Sequence, residues 1–275
     1  MDEATFNELA SKRLVYAVPG MEQVPVRKDI TFKQIGELAL KMDVYYPREM
    51  EPGTTRPAVI LVSGGDLPPE LLVRGKDIGL YISYGQLIAA SGFVAVTFNH
   101  RSIEGYTKLH EVGSDIDGLV SYVRENASSL KIDAHALCIW AFSSGALYGL
   151  RTAMCGAPPY IRCIVSYYGG MSILNKEYFH YSPEEEPTFQ EFSPVYYLRT
   201  EPGNIPPLFI AKAGLDQPAL NKSIDEFVQE ASTRNIPFTF VNHPAGRHGF
   251  DIFNDDARSR EIIRMTVEFL KEHLI

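Results

Sequence analysis

Two adjacent serines, Ser143 and Ser144, separate an apolar run from a run of small residues in the segment ALCIWAFSSGALYGL. A serine becomes a nucleophile when a tight turn from a strand into a helix projects its hydroxyl above the sheet. Because strand and helix pass closely at such a turn, the residues two before and two after must be small. Ser143 has Ala141 and Gly145 at those positions, whereas the bulky Phe142 stands two residues before Ser144. Ser143 is therefore the candidate nucleophile, and capping of the following helix is the alternative role.

A nucleophilic serine needs a base, and the position of each histidine in the chain favours one of them. His248 lies in AGRHGFD, a glycine-flanked turn directly after the last predicted strand. His243 is the second choice, because it lies nearer to that strand. His100 ends another strand, and we expect it to be structural or to support the site.

The base in turn needs an acid that orients it, and Asp216 is the candidate. It ends the buried run LFIAKAGLD and precedes a helix that begins with proline. The alternative is that Asp216 only favours the start of that helix through the helix dipole. The order Ser143, Asp216, His248, with each residue on a loop after a different strand, is the order of α/β-hydrolase triads.

An oxyanion hole is predicted in VILVSGGD, which follows the first parallel strand. Glycines allow backbone N–H groups to approach a developing oxyanion, so Gly64 or Gly65 is expected to donate one hydrogen bond. The backbone N–H of Ser144, directly after the nucleophile, is expected to donate the other.

These candidates need a sheet that brings the ends of its strands together. Short β-branched or aromatic runs alternate with helical stripes, and this alternation predicts an α/β fold with a mostly parallel sheet and helices on both faces. Residues 1–275 are expected to form one domain. A segment at 171–206, rich in aromatics, Pro and Glu, is predicted to be a cap insertion. The predicted strands are VPVRKDITFKQ, ALKMDVYYP, PAVILVSGG, FVAVTFNH, HALCIWAFS, IRCIVSYYGG, PLFIAKAG and PFTFVNHP.

Composition excludes several classes of protein. A net charge of −8 argues against a general binder of nucleic acid. The three cysteines show no C-x-x-C spacing, so neither a disulfide framework nor a zinc site is indicated. The acidic N-terminus lacks the features of a secretory signal, and no apolar run is long enough to span a bilayer. We expect a cytoplasmic protein with no membrane partner. Formation of a homodimer is possible.

Seven motifs, in family order, are similar to those of the α/β-hydrolase superfamily, in particular its dienelactone-hydrolase-like and carboxylesterase-like branch. The resemblance covers roughly residues 40–275 and implies that Ser143 is the nucleophile, Asp216 the acid and His248 the base. Two departures stand out. Dienelactone hydrolases use Cys where this chain has Ser143, and related esterases carry H-G-G-G where this chain has S-G-G-D, ending at Asp66. The motifs are DVYYP, PAVILVSGG, AFSSGA, YYGG, FSPVYYL, PPLFIAKAGLD and GRHGFD.

The expected function is hydrolysis of small to medium carboxylic esters through an acyl-enzyme, without a metal or organic cofactor. A lactonase, an arylformamidase or a peptidase would use the same triad, and a ligand-binding module without turnover is the alternative of another class. The expected partner is a small-molecule ester. Four aromatic residues of the cap are expected to line a pocket over the nucleophile: Phe179, Tyr181, Phe189 and Phe192.

Overall fold

The computed structural model describes residues 7–8, 10–65, 75–201 and 205–275. Eight strands form one sheet in the order β1-β2-β4-β3-β5-β6-β7-β8. Strand β2 is antiparallel to β1 and β4, and the pairs from β4 through β8 are all parallel. The strands are β1 Val26–Ile35, β2 Leu38–Tyr45, β3 Arg56–Val62, β4 Val94–Phe98, β5 Ile132–Phe142, β6 Ile161–Tyr167, β7 Leu208–Ala213 and β8 Phe238–His243.

All eight predicted strands are present, and the predicted mostly parallel α/β architecture is confirmed. Helices follow most of the parallel strands. None of those within the described residues combines the length and apolar character that a bilayer span requires. The helices considered below are α1 Gly79–Ala90, α2 Leu109–Glu125, α3 Gly145–Met154, α4 Glu186–Glu191, α5 Pro194–Thr200, α6 Pro218–Thr233, α7 Phe250–Phe253 and α8 Ala257–Leu274.

Strand β5 shows why the sheet needs helices on both faces. Its alternate residues belong to two separate cores: Ile139 and Ala141 pack on one side, and Trp140 and Phe142 on the other. The first core is mostly aliphatic and packs against α2, α3 and α6, and the second contains many aromatic rings and packs against α1 and α8. A strand buried on both faces is apolar throughout, as this one is.

Helix α1 was not predicted from the sequence. An amphipathic helix is recognised by one apolar stripe, but buried residues occur around most of the circumference of α1. The apolar stripes of α2, α6 and α8 were predicted, and those helices each bury one face.

The strand order reverses between β3 and β5, which lie side by side although β4 follows β3 in the chain. In open α/β sheets, ligands bind at such a switch point, beyond the carboxyl ends of the strands. The loop after β3 begins at Ser63 and the turn after β5 begins at Ser143, so the two predicted halves of the site meet there.

Candidate active site

Ser143 occupies a strained turn between β5 and α3. Its φ angle is +54°, a left-handed conformation that is uncommon for residues other than glycine and typical of functional turns. The turn is held by neighbouring strands, since the Ser143 N–H donates to the carbonyl of Tyr167 at 3.1 Å. The Ser143 carbonyl accepts from the N–H of Gly170 at 2.9 Å. These contacts keep the Ser143 backbone in a conformation that it would otherwise avoid.

The predicted requirement for small residues has a direct structural cause. A Cβ on Gly145 would lie 2.6 Å from the carbonyl oxygen of Val62, because α3 starts against the end of β3. A Cβ on Gly64 would lie 2.8 Å from Cβ of Ser143. Side chains at either glycine would therefore push the turn and the β3 loop apart.

Asp216 and His248 form a short hydrogen-bonded pair on the loops after β7 and β8. His248 Nδ1 lies 2.6 Å from Asp216 Oδ2, and the other carboxylate oxygen accepts the N–H of Gln217 at 2.8 Å. The N-cap residue of α6 is Gln217, so Asp216 does not cap this helix. The carboxylate instead fixes the orientation of the imidazole.

Ser143, Asp216 and His248 line one cavity of about 490 Å³ at the carboxyl edge of the sheet. Within the described residues, no hydrogen bond joins Ser143 Oγ to His248. Such contacts are commonly loose without substrate and tighten in the complex. The remaining lining residues are Tyr106, Ser144, Leu147, Gly170, Ser172, Ile173, Tyr178, Phe179, Gln217, Ala219, Leu220 and Ser223.

The cap aromatics are only partly where the sequence placed them. Phe179 lines the cavity, but Tyr181, Phe189 and Phe192 are not among its lining residues. Phe192 is fully buried in the aliphatic core, and the rings of Tyr181 and Phe189 stack on each other at 4.1 Å. The prediction was wrong for these three because Phe189 and Phe192 are buried in the aliphatic core, and Tyr181 packs against that core.

The predicted oxyanion residues lie beside the nucleophile. The N–H of Gly65 donates to Ser144 Oγ at 2.9 Å, so the β3 loop is tied to the serine after Ser143. Gly64 lies against the Ser143 turn, as its close approach to Ser143 shows. Asp66 lies outside the described residues.

His243, the second-choice base, does not line the cavity. Its ring is buried, and Nε2 lies 3.0 Å from Ser259 Oγ and 3.2 Å from Asp256 Oδ1 at the start of α8. The described residues hold no group of three or more His, Cys, Asp or Glu side chains with the arrangement of a metal site.

A buried carboxylate behind His248 was missed by sequence reasoning. Asp251 has no exposed surface and accepts hydrogen bonds from the hydroxyls of Tyr84, at 2.8 Å, and Tyr168, at 2.9 Å. Burial raises the pKa of Asp251 to about 6. The ring of Tyr168 lies 4.7 Å from that of His248. An acid between two apolar residues, three positions after the candidate base, was the available signal.

Comparison with known proteins supports the assignment of the fold. Residues 42–158, less than half of the chain, match a family described as BD-FAE. No curated protein sequence matches the chain.

Several solved structures share the fold over almost the whole chain. Esterase Est2 from the planctomycete Thermogutta terrifontis, solved with propionate bound, is 18% identical, with a TM-score of 0.73 over 92% of this chain and 96% of its own. The same esterase phosphoramylated by tabun is 18% identical, with a TM-score of 0.71 over 92% and 96%. A truncated carbohydrate esterase from gut microbiota is 17% identical, with a TM-score of 0.72 over 90% and 96%. The chain thus has the α/β-hydrolase fold, and its resemblance to that superfamily is confirmed.

Proposed function

We propose that this α/β-hydrolase-fold protein is a serine hydrolase of small to medium carboxylic esters. Ser143 is the nucleophile, His248 the general base and acid, and Asp216 the residue that orients His248. Backbone N–H groups of Ser144 and of the Gly64–Gly65 loop stabilise the oxyanion.

The observation that carries the proposal is the combination of a strained serine and an acid–histidine pair around one cavity. Ser143 has a φ angle of +54°, and the 2.6 Å contact from His248 Nδ1 to Asp216 leaves Nε2 as the nitrogen available to a substrate or to Ser143. A serine that only capped α3 would need neither the strain nor the imidazole.

The reaction would follow the steps of a Ser-His-Asp triad. His248 removes the proton of Ser143 as Oγ attacks the ester carbonyl, and the tetrahedral oxyanion accepts backbone hydrogen bonds. The imidazolium, supported by the charge of Asp216, protonates the leaving alcohol, and an acyl group stays on Ser143. Water then attacks the acyl-enzyme with His248 as base, and this step releases the carboxylic acid.

Cavity size supports a small or medium acyl group. A volume of about 490 Å³ lies in the lower part of the range for small-molecule sites. Among the similar folds, one esterase was solved with propionate bound and also phosphoramylated by tabun. The cavity volume and the small groups bound to that esterase favour compact esters over long-chain lipids.

The test is to replace the two serines separately and to measure hydrolysis of a series of esters of increasing acyl length. We expect Ser143→Ala to lower kcat by about 10⁴-fold or more, with no fluorophosphonate labelling. Ser144→Ala should cost far less, because its backbone N–H remains and only the hydroxyl contact to Gly65 is lost.

Three outcomes would overturn the proposal. An active Ser143→Ala variant beside an inactive Ser144→Ala variant would show that the wrong serine was chosen. A hydrolysis rate that keeps rising as the acyl chain becomes very long would contradict the proposed preference for small to medium esters. Tight ligand binding by the parent without turnover of any ester, lactone or amide would identify a binding module.

A further inference from the structure

Ser63, the residue before Gly64, is held at both its side chain and its backbone. It is buried, and its Oγ lies 2.9 Å from Nε2 of His100 at the end of β4. Its carbonyl accepts a hydrogen bond from the hydroxyl of Tyr148, on α3, at 2.7 Å. We call Ser63, His100 and Tyr148 the Ser63 clamp.

Both ring nitrogens of His100 are engaged. Nδ1 lies 2.7 Å from the carbonyl oxygen of Arg101. Nε2 faces Ser63 twice, at 2.9 Å from its Oγ and at 3.1 Å from its carbonyl oxygen. Burial lowers the pKa of His100. His100 therefore contacts Ser63 at both its hydroxyl and its carbonyl, and the ring cannot turn without losing contacts on both sides.

The clamp has a rigid support. Arg101, whose carbonyl fixes the His100 ring, donates to both carboxylate oxygens of Asp115 at 2.9 Å each. It also donates to Glu111 Oε2 at 2.8 Å. Asp115 is completely buried on α2. A bidentate pair of this kind restrains the backbone that carries His100.

We propose that the Ser63 clamp positions the Gly64–Gly65 loop so that the N–H of Gly64 meets the oxyanion, while the N–H of Gly65 donates to Ser144 Oγ. Ser63, His100 and Tyr148 do not line the cavity, so they are positioning residues and act through the loop. The inference rests on the proposed function, since it concerns the oxyanion hole of that reaction. The clamp joins the loop to the end of β4 and to α3.

If the Ser63 clamp positions the oxyanion loop, its loss should lower kcat and leave KM nearly unchanged. The oxyanion exists only in the transition state and intermediate, so a misplaced donor leaves ground-state binding almost unchanged. Removing a donor costs about 10²–10³-fold in kcat, and a displaced donor should cost less, on the order of tenfold.

The experiment is Ser63→Ala, assayed for kcat and KM on a short-chain ester, with the melting temperature measured on the same preparation. We expect kcat to fall about tenfold with KM within twofold. Ser83→Ala is the matched control. Ser83 is also buried, but its hydroxyl bonds to the α1 carbonyls of Gly79 and Leu80 and accepts from the N–H of Leu14, and none of these residues belongs to the clamp or lines the cavity.

Tyr148→Phe provides a second test that leaves both Ser63 and His100 in place. It removes the hydrogen bond to the Ser63 carbonyl and keeps the aromatic ring, and it should also lower kcat, even if Ser63→Ala does not fold. A folded Ser63→Ala or Tyr148→Phe protein with parental kcat would overturn the clamp alone, because the parent still hydrolyses the ester. A parent without ester turnover would overturn the proposed function and the clamp with it.

Discussion

Two histidines lie at the carboxyl end of β8, His243 as its last residue and His248 on the loop after it. Each contacts an aspartate, but which partner is buried is reversed between the two pairs. In the first pair the His248 side chain is 45% exposed, whereas its partner Asp216 is 3% exposed. In the second pair His243 is 3% exposed and Asp256 is 40% exposed. His248 and Asp216 line the cavity. Asp256 caps the start of α8, and His243 is buried beside it.

The reversal fits the proposed role of His248 as a reactive imidazole and a structural role for His243. A general base must present one ring nitrogen to substrate while its acid is shielded from water, because a buried charge acts more strongly on its neighbour. His243 has the opposite arrangement. Its Nδ1 is buried without a hydrogen-bond partner, and its Nε2 contacts Ser259 and Asp256, so no nitrogen is available for chemistry. Contact with a carboxylate alone does not identify a base.

The largest effect should come from replacing the two histidines in parallel. His248→Asn should lower kcat by about 10⁴-fold or more, with little change in melting temperature because the ring is half-exposed. His243→Asn should keep kcat within about threefold and lower the free energy of unfolding by about 1–3 kcal/mol, since it disturbs buried hydrogen bonds. Steady-state kinetics and thermal melts of both variants check this. Loss of turnover in His243→Asn with an active His248→Asn would reverse the assignment.

A somewhat smaller effect is expected at the two carboxylates. Asp216→Asn keeps size and shape but favours the wrong imidazole tautomer and removes the charge that supports the imidazolium, so kcat should fall by up to about 10⁴-fold at neutral pH. Asp256→Asn should be mild in both kcat and stability. Asp256 caps α8 through the N–H of Ser259, and Asn caps about as well as Asp. A stable Asp216→Asn protein with activity within about threefold of the parent would remove Asp216 from the triad.

Much of the site could be predicted because it depends on strand ends. Ser143, Asp216 and His248 each follow a parallel strand, and parallel strands bring their carboxyl ends to one edge whatever the details of packing. Two kinds of feature escaped. The surroundings of Asp251 depend on Tyr84, which is 167 residues away in the chain, and no local pattern reports such a contact. The directions of the aromatic side chains between 179 and 192 depend on a loop and a short helix whose positions are set by tertiary packing.

The last prediction concerns stability and two acids, Asp251 behind His248 and Asp256 beside His243, whose pKa values are shifted in opposite directions. Burial raises the pKa of Asp251, behind His248, to about 6. For Asp256, burial acts to raise the pKa, but hydrogen bonds from Ser259 and the charge of His243 outweigh it and hold the pKa below its ordinary value.

The signs of the two linkages follow from these directions. Between the unfolded pKa of about 3.9 and the folded pKa near 6, folded Asp251 binds more protons than the unfolded chain, so its contribution to stability is lost as the pH rises through this window. The shift of roughly two pKa units corresponds to about 3 kcal/mol. Asp256 has the reverse sign: its contribution is present above the unfolded pKa and is lost below about pH 4, as the pH falls through the folded pKa.

The contributions of Asp251 and Asp256 are separated by denaturant unfolding of the parent, Asp251→Asn and Asp256→Asn between about pH 4.5 and 7.5. Contributions of other groups cancel when the free energy of unfolding of each variant is subtracted from that of the parent. We expect the free energy of unfolding of the parent to rise relative to that of Asp251→Asn by about 2 kcal/mol as the pH falls through this range, because only the parent takes up the proton. The difference between the parent and Asp256→Asn should stay constant there. A constant difference for Asp251→Asn would mean that Asp251 does not titrate in this range, which would contradict a pKa near 6 for this buried acid.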